Sequence, residues 1–263
     1  MTAWQSRREV SVPEAVAQLR GLGVARGDVV LVHTSFRAVR PVAGGPAGLI
    51  AALGAAVGPE GTIAMPSWTG DDDSVFDPVS TPAAADLGVV AETFRLLPDV
   101  QRGRHAFAFA ARGRLAAELL ADDLVLPPHQ PESPVGRVLD ADGKVLLLGV
   151  DHDASTMLHL AELLAGVPYR RPKHITVTRN GKPARIDYAE NDHCCEMFRL
   201  TNAWLSERGL QAEGRIGHAP SKLMRARDVI DAVVPRLQAN PFVFLHPRGS
   251  ACAECADAWR SVP

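Results

Sequence analysis

The segment KVLLLGV, residues 144–150, predicts a buried β-strand, because four consecutive apolar side chains follow a lysine and a glycine comes directly after them. Ser155 or Thr156 then caps a predicted helix that extends to about residue 164. A buried strand that leads at once into a capped helix is typical of α/β proteins, so this segment indicates the fold class.

Two segments closer to the amino terminus predict further buried strands. They are DVVLVH at residues 28–33 and GTIAMP at residues 61–66, and a predicted helix at residues 47–57 separates them. Strand, helix and strand in this order predict a parallel sheet. The same region carries predicted helices at residues 11–22, 88–97 and 114–120, a short strand at residues 106–110, and a proline-rich loop at residues 124–135.

The last third of the chain has a different pattern. Asn180-Gly181 is a strong signal for a tight turn and predicts a hairpin over residues 174–188. Further predicted elements are helices at residues 192–208 and 221–237, a strand at residues 241–246, and a short helix or tail at residues 252–263. We therefore expect an α/β fold, with a mostly parallel central sheet flanked by helices and an appended antiparallel and helical C-terminal lobe. Residues 1–263 would form one domain, with the core at about 1–170 and the lobe at about 171–263.

Composition and charge exclude several classes of function. The formal net charge is −2 and no basic run is present, so nothing indicates a nucleic-acid partner. No apolar run approaches the ~18 residues that a membrane-spanning helix needs, and the amino-terminal segment lacks the apolar stretch of a signal peptide. We expect a cytoplasmic protein with reduced cysteines. The three consecutive aspartates at residues 71–73 indicate a local acidic groove.

The three strongest predicted strands all end in polar side chains. HTS at residues 33–35, SW at residues 67–68 and DHDAST at residues 151–156 occupy these positions. Ligands of open α/β sheets bind at the carboxyl ends of the strands, so these segments predict a single site. The hydroxyls of residues 34 and 35 would donate hydrogen bonds to a carbonyl or a phosphate; the alternative is that they only cap a turn.

His159 and Glu162 are candidates for acid–base chemistry. They follow the third strand at a spacing that places both on one face of a helix. A carboxylate beside a histidine orients the ring and makes it a better general base. The alternative is an ordinary surface pair.

The four cysteines form two close pairs and are candidates for a structural zinc site. They are Cys194, Cys195, Cys252 and Cys255. Adjacent cysteines on a helix diverge by about 100°, so His193 is an alternative ligand in place of one of them. The competing interpretation is four inert buried thiols.

Four stretches of the chain, in order, resemble the aminoglycoside 3-N-acetyltransferase family, which is distinct from the GNAT superfamily. They are LVHTSFR at residues 31–37, TIAMPSW at 62–68, DLGVVAETF at 86–94 continuing to RHAFAFAARG at 104–113, and GKVLLLG at 143–149 with TMLHLAE at 156–162. ENDHCCE at residues 190–196 and CAEC at residues 252–255 resemble the type IV subgroup, which is associated with apramycin and gentamicin. The resemblance covers most of the chain.

The resemblance implies acetyl-CoA as donor and a deoxystreptamine amine as acceptor. It places the family's histidine at His159, with Glu162 as its acidic partner, and implies direct transfer without an acyl-enzyme. Candidates on the CoA side are His33, Thr34, Ser35, Arg37, Arg102, Arg104 and His105. Candidates on the acceptor side are Trp68, Asp71, Asp73, Glu92, Asp187, Glu190 and Asp192.

The chain departs from the family pattern at two positions: Ser155 replaces a common asparagine, and Ala106 replaces the proline of a His-Pro pair. These departures affect the local geometry of the site and the choice of acceptor more than the reaction. Two other functions are compatible with the sequence: acetylation of another amine metabolite, and non-catalytic binding of CoA or an antibiotic. A hydrolase would need a nucleophile elbow such as G-x-S-x-G, and the sequence contains none. We expect a monomer or a homodimer.

Overall fold

A seven-stranded sheet forms the centre of the molecule in the computed structural model, which describes residues 7–121 and 124–262. Its middle strands are β2 (Thr62–Pro66), β1 (Val29–Thr34) and β5 (Lys144–Leu148), and β1 is parallel to both neighbours. These are the three strands predicted most strongly by the sequence. In the part of the chain that the structure describes, no helix is long and apolar enough to cross a membrane.

The predicted α/β class with a central sheet flanked by helices is confirmed, but the outer strands of this sheet are antiparallel, so the sheet is mixed and not mostly parallel. On one side lie β4 (Phe109–Gly113) and then β3 (Gln101–Arg102), and on the other lie β9 (Ala219–Arg225) and then β8 (Gln211–Ile216). Only two of the six strand pairs are parallel. β4 begins at the edge where β2 ends and runs back beside it. At this edge the backbone N–H of Ser67 donates to the carbonyl of Ala108.

Both faces of the sheet are covered by helices, which explains why its central strands are continuous apolar runs. Leu146 and Leu148 point to the face that packs on α1 (Val12–Leu22), α3 (Gly45–Val57) and α4 (Gly88–Arg95). Val145 and Leu147 point to the opposite face, against α6 (Pro134–Asp140), α7 (Thr156–Ala165) and α9 (Ala226–Ala239). The remaining short helices are α2 (Phe36–Val39), α5 (Ala116–Leu119), α8 (Thr201–Ser206) and α10 (Ala253–Arg260).

The predicted hairpin is present and longer than expected. Strands β6 (Arg171–Arg179) and β7 (Lys182–Glu190) pair as a separate two-stranded sheet. Asn180 and Gly181 join them with positive φ angles of 52° and 74°, the conformation that the Asn-Gly signal indicates. The rest of the predicted C-terminal lobe does not separate from the core, because β8 and β9 complete the central sheet.

Several predicted elements of the last third differ from the structure. The helix predicted at residues 192–208 begins later, with a 3₁₀ turn over Glu196–Leu200 before α8, because Cys195 has a left-handed φ of 58° that interrupts a helix. The helix predicted from residue 221 begins at Ala226, and residues 221–225 belong to β9. Residues 241–246 form turns instead of a strand, with Phe244 packed edge-on against Phe198. The strand predicted at residues 106–110 lies at Phe109–Gly113, and α6 was not predicted.

Candidate active site

The carboxyl ends of β1, β2 and β5 open into one cavity of about 750 Å³. Helix α7, which follows β5, forms another part of its wall. The prediction that three polar strand ends meet in a single site is thus confirmed by their geometry. The lining includes His33, Thr34, Trp68, His129, Ser155, Thr156, His159, Cys195, Arg199 and Lys222.

His159 lies at the cavity wall beside the carboxylate that the sequence analysis paired with it. Its Nδ1 atom is 3.0 Å from Oε2 of Glu162, one helical turn further along α7. The side chain of Glu162 is fully buried, whereas 21% of the His159 side chain is exposed. Because the ionised carboxylate can only accept, the proton of the neutral ring lies on Nδ1. Nε2 then carries the lone pair of the ring, and Sγ of Cys195 lies 3.6 Å from it.

Glu162 is held by two further donors. Its Oε1 atom accepts a hydrogen bond from the hydroxyl of Tyr169 and another, at 2.8 Å, from Nε2 of His193. Nδ1 of His193 accepts the backbone N–H of Cys195 at 3.0 Å, which places the proton of His193 on Nε2. The carboxylate, the orientation of the His159 ring and the tautomer of that ring are therefore all determined by buried contacts.

The same contacts set the protonation of the pair. Burial alone would raise the pKa of Glu162, but His193 and His159 lower it to about 2. Burial alone would lower the pKa of His159, but Cys195 and Glu162 raise it well above its ordinary value. Glu162 is thus an ionised carboxylate at neutral pH, and His159 is a stronger base than an exposed histidine.

Two neutral histidines lie next to His159. The ring of His129 stacks on that of His159 with centroids 5.3 Å apart, and Nε2 of His33 is 3.3 Å from the Thr156 hydroxyl. Burial, together with the charge of His159, lowers the pKa of both His129 and His33 to about 3. The sequence analysis assigned His33 to the CoA side and did not single out His129, because its irregular loop carries no motif.

Two buried hydroxyls in the cavity wall have no hydrogen-bond partner among residues 7–121 and 124–262. They are Oγ1 of Thr34 and Oγ of Ser155. A buried hydroxyl without a partner costs free energy, which a ligand with an acceptor oxygen can offset. The backbone N–H of Ser35 donates to the carbonyl of Leu148, so this N–H is already engaged.

The basic side chains at the cavity differ from those predicted. Lys222 and Arg199 line the cavity, and neither was singled out from the sequence. Nζ of Lys222 donates to Asp151 at 2.6 Å and to Asn202 at 2.6 Å. A lysine on β9 gives no local signal, because only the pairing of β9 with β5 brings Lys222 to this edge.

The arginines predicted to contact CoA lie elsewhere. The guanidinium of Arg102 donates to the carbonyl of Ser67 and to the carbonyls of Pro78 and Thr81, so it holds the loop after β2. Arg37 and Arg104 are exposed and are not among the described residues that line the cavity. His105 also lies outside that lining; its ring is 6.5 Å from that of Phe107.

Among the predicted acceptor residues, Glu190 has the most unusual environment. It is partly buried at the end of β7, with Nζ of Lys173 3.8 Å from its Oε1. Burial, and after it the neighbouring charges of Asp192 and Asp72, raise the pKa of Glu190 to about 7 in spite of Lys173. Asp192 itself accepts from Lys173 at 2.7 Å.

The other predicted acceptor residues have varied partners. Trp68 lines the cavity and packs edge-on against His129. Asp73 pairs with His174 of the hairpin at 2.8 Å. The remaining three are bound locally: Asp71 accepts two backbone N–H groups of its own turn, Glu92 pairs with Arg95, and Asp187 is exposed and pairs with Arg185.

The four cysteines do not form one cluster. Sγ of Cys195 points to the active site, 3.6 Å from Nε2 of His159. His193 bonds to Glu162, so it does not reach the other thiols either. Only Cys194, Cys252 and Cys255 bring their sulfur atoms together. The prediction that Cys195 or His193 joins a four-ligand metal site was therefore wrong, because the left-handed turn at Cys195 sends adjacent side chains in different directions.

Comparison with known proteins identifies the family. The sequence model of the aminoglycoside 3-N-acetyltransferase family matches residues 31–238. The chain is 56% identical over 234 residues to aminoglycoside N(3)-acetyltransferase IV of a Salmonella species, covering 89% of this chain and 90% of that protein.

Two solved structures show ligands in related proteins. A mutant of aminoglycoside acetyltransferase AAC(3)-IVa in complex with a gentamicin superposes with a TM-score of 0.96 at 53% identity, covering 97% of this chain and 99% of that one. AAC-IIIb, a binary complex with CoASH, superposes with a TM-score of 0.80 at 28% identity, covering 88% and 97% of the two chains. This chain is therefore an acyltransferase and belongs to the aminoglycoside 3-N-acetyltransferase family.

Proposed function

We propose that this protein transfers the acetyl group of acetyl-CoA directly to the 3-amino group of an aminoglycoside, with His159 as general base. The observation that carries the proposal is the geometry of that histidine. Its Nδ1 proton is held by the buried carboxylate of Glu162, and its basic Nε2 atom lies at a cavity of about 750 Å³. A base with this geometry can take a proton from a bound ammonium group.

The acceptor nitrogen starts as an ammonium group and must lose two protons. The first leaves through His159 to solvent, which gives a neutral amine. Nε2 of His159 then takes the second proton as this nitrogen attacks the thioester carbonyl. The resulting oxyanion accepts a hydrogen bond from the Thr34 hydroxyl, which has no other partner among the described residues. The C–S bond then breaks, and the CoA thiolate takes the proton back from His159. Glu162 stabilises the imidazolium while it exists.

The acceptor side of the proposal depends on negative charge. A polycationic aminoglycoside needs carboxylates, and Glu190 is close enough for its pKa to respond to His159. The approach of an ammonium group would favour the charged form of Glu190, and the resulting ion pair would offset the cost of ionising this carboxylate. The gentamicin complex of the related AAC(3)-IVa supports this class of acceptor.

The donor side depends on Lys222 and Arg199. Both line the cavity, and their positive charge suits the phosphates of CoA. The CoASH complex of the related AAC-IIIb supports CoA as the carrier. Because acetyl-CoA is made and used in the cytoplasm, we place the reaction there. Acetylation removes one positive charge from the antibiotic, and this change would confer resistance.

The contact between Cys195 and His159 defines a second candidate route. A thiol 3.6 Å from a histidine that is itself held by a carboxylate is the arrangement of nucleophilic catalysis. Cys195 would then take the acetyl group from CoA and pass it to the amine. We favour direct transfer because His159 itself lines the cavity and can serve as the base without an acyl-enzyme. Rapid mixing of enzyme with acetyl-CoA alone separates the two routes. Stoichiometric release of CoA thiol without acceptor would establish the acyl-enzyme.

The test of the function is a panel of aminoglycosides with acetyl-CoA, thiol detection, and NMR assignment of the acetylated nitrogen. We expect turnover with a deoxystreptamine antibiotic and acetylation at nitrogen 3. His159→Ala should lower kcat by roughly 10²–10⁴-fold while leaving the Kd for CoA nearly unchanged. His218→Ala is the control, because His218 bonds to the carbonyl of Arg8 outside the cavity. Turnover with simple amines alone would point to another metabolite, and binding without turnover would point to a sequestering protein.

A further inference from the structure

Three thiols outside the catalytic cavity converge at the start of α10. Cys252 is the residue before this helix and Cys255 lies in its first turn, while Cys194 comes from the segment after β7. The three sulfur atoms lie within 4.8 Å of one another. Sγ of Cys194 and Sγ of Cys255 are 3.7 Å apart. None of these thiols lines the cavity or takes part in the proposed reaction.

The spacing of the sulfur atoms is that of a tetrahedral metal site. Zinc binds thiolate sulfur at ~2.3 Å, so two sulfurs on one tetrahedral zinc ion are about 3.8 Å apart. A disulfide requires ~2.05 Å, which is much shorter than the observed 3.7 Å. Cys-x-x-Cys is also a common ligand spacing of structural zinc sites, and the start of a helix favours thiolates.

A candidate fourth ligand adjoins the three thiols through Cys194, which belongs to a second group of metal-binding side chains. One ring nitrogen of His246 and a carboxylate oxygen of Glu196 each lie within 4.8 Å of Cys194 Sγ and of each other. The backbone N–H of His246 also donates to Sγ of Cys255 at 3.4 Å. Three cysteines and one histidine are a regular ligand set for structural zinc. Glu196 bonds to Nε2 of His246 at 3.2 Å, as carboxylates often do beside a metal-binding histidine.

We propose that Cys194, Cys252, Cys255 and His246 bind one zinc ion. This ligand set excludes Cys195, although it is adjacent to Cys194. The site joins the C-terminal helix α10 to the segment between β7 and α8, which are more than fifty residues apart in sequence.

The zinc site also lies next to the catalytic histidine along the chain. Cys194 binds the metal, while its neighbour Cys195 contacts Nε2 of His159 and its neighbour His193 bonds to Glu162. Three consecutive residues thus connect the metal to the base and to the carboxylate. If the proposed function is right, loss of zinc loosens this connection and lowers kcat more than it raises the KM for acetyl-CoA.

The first test is metal analysis of the purified full-length protein, prepared in the presence of a reductant and without added metal. We expect about one equivalent of zinc per chain, as one four-ligand site requires. Cys252→Ser and His246→Ala should lower the zinc content at least severalfold, and Cys195→Ser should keep it. Metal-free wild-type protein with four titratable thiols, or with a disulfide between Cys194 and Cys255, would overturn the proposal.

A second measurement does not depend on whether the variants fold. X-ray absorption at the zinc edge of the wild-type protein should show three sulfur ligands at about 2.3 Å and one nitrogen at about 2.0 Å. Four sulfur ligands would contradict the assignment of His246. Both measurements are independent of turnover, so a zinc protein that acetylates no aminoglycoside would refute the proposed function and leave the metal site standing.

Discussion

The substitution Glu162→Gln tests the central contact of the site. Gln keeps the size of the side chain but removes the charge, and its amide group replaces one acceptor oxygen by a donor. In the wild type, two oxygens accept hydrogen bonds from His159, His193 and Tyr169. In the variant, at least one of these buried groups loses its acceptor.

The structure gives the expected loss of stability. The fully buried Glu162 has a pKa of about 2 instead of 4.5, which corresponds to ~3 kcal/mol of stabilisation of the ionised form. Because the folded pKa is depressed, this stability is present above pH ~4.5 and is lost as pH falls toward 2. We expect Glu162→Gln to lower the free energy of unfolding at neutral pH by roughly 3–5 kcal/mol, the usual cost of breaking a buried ionic contact. Urea unfolding at pH 7 and pH 4 measures it, and the difference between variant and wild type should shrink at the lower pH.

The same substitution should change catalysis. Without the carboxylate, the imidazolium of His159 loses a stabilising charge, and kcat should fall by roughly 10²–10⁴-fold in the folded protein. Turnover requires neutral His159, so the rate of the wild type rises as pH increases through a pKa that is raised. In the variant, burial and the contact with Cys195 remain while the raising contribution of Glu162 is lost, so this rise in rate should move to lower pH. Glu60→Gln is the control, because Glu60 is exposed and makes only a 3.8 Å contact with Arg114. Wild-type kcat with an unchanged pH profile in Glu162→Gln would refute the role of this pair.

Three further predictions concern the two substrates. Below pH ~7, protonation of Glu190 should raise the acceptor KM, and Glu190→Gln should remove this pH dependence; a variant with the wild-type profile would place the titrating group elsewhere. The KM of a tetra-amine acceptor should rise with ionic strength more than that of a di-amine, because salt screens exposed charges over about 10 Å at 0.1 M, and equal flat responses would argue for an apolar acceptor site. Lys222→Met should raise the Kd of CoA about tenfold or more in calorimetry, with Lys182→Met, on the exposed hairpin turn, as control; an unchanged Kd would remove Lys222 from the CoA site.

The central strands and the catalytic pair could be predicted from local sequence, because each depends on neighbours in the chain. The run at residues 144–150 is apolar because helices cover both faces of the sheet at this strand. A continuous apolar run by itself therefore indicates a buried strand. His159 and Glu162 meet because three residues of helix bring them to one face. Asn180-Gly181 likewise predicts a tight turn, because both residues readily adopt the positive φ angles that this turn requires.

The direction of the outer strands and the environment of the site were decided only by tertiary structure. β9 brings Lys222 to the cavity by pairing with β5, across more than seventy residues of sequence, and no local pattern contains that pairing. His193, Tyr169 and His129 reach the catalytic pair from three different segments, so their contacts with it cannot be read from any one of those segments. The two adjacent cysteines show the same division. Their sequence indicates a metal site or buried thiols. The left-handed backbone at Cys195 sends one thiol to the base and leaves the other beside the C-terminal helix, because residues that are neighbours in the chain need not share surroundings in space.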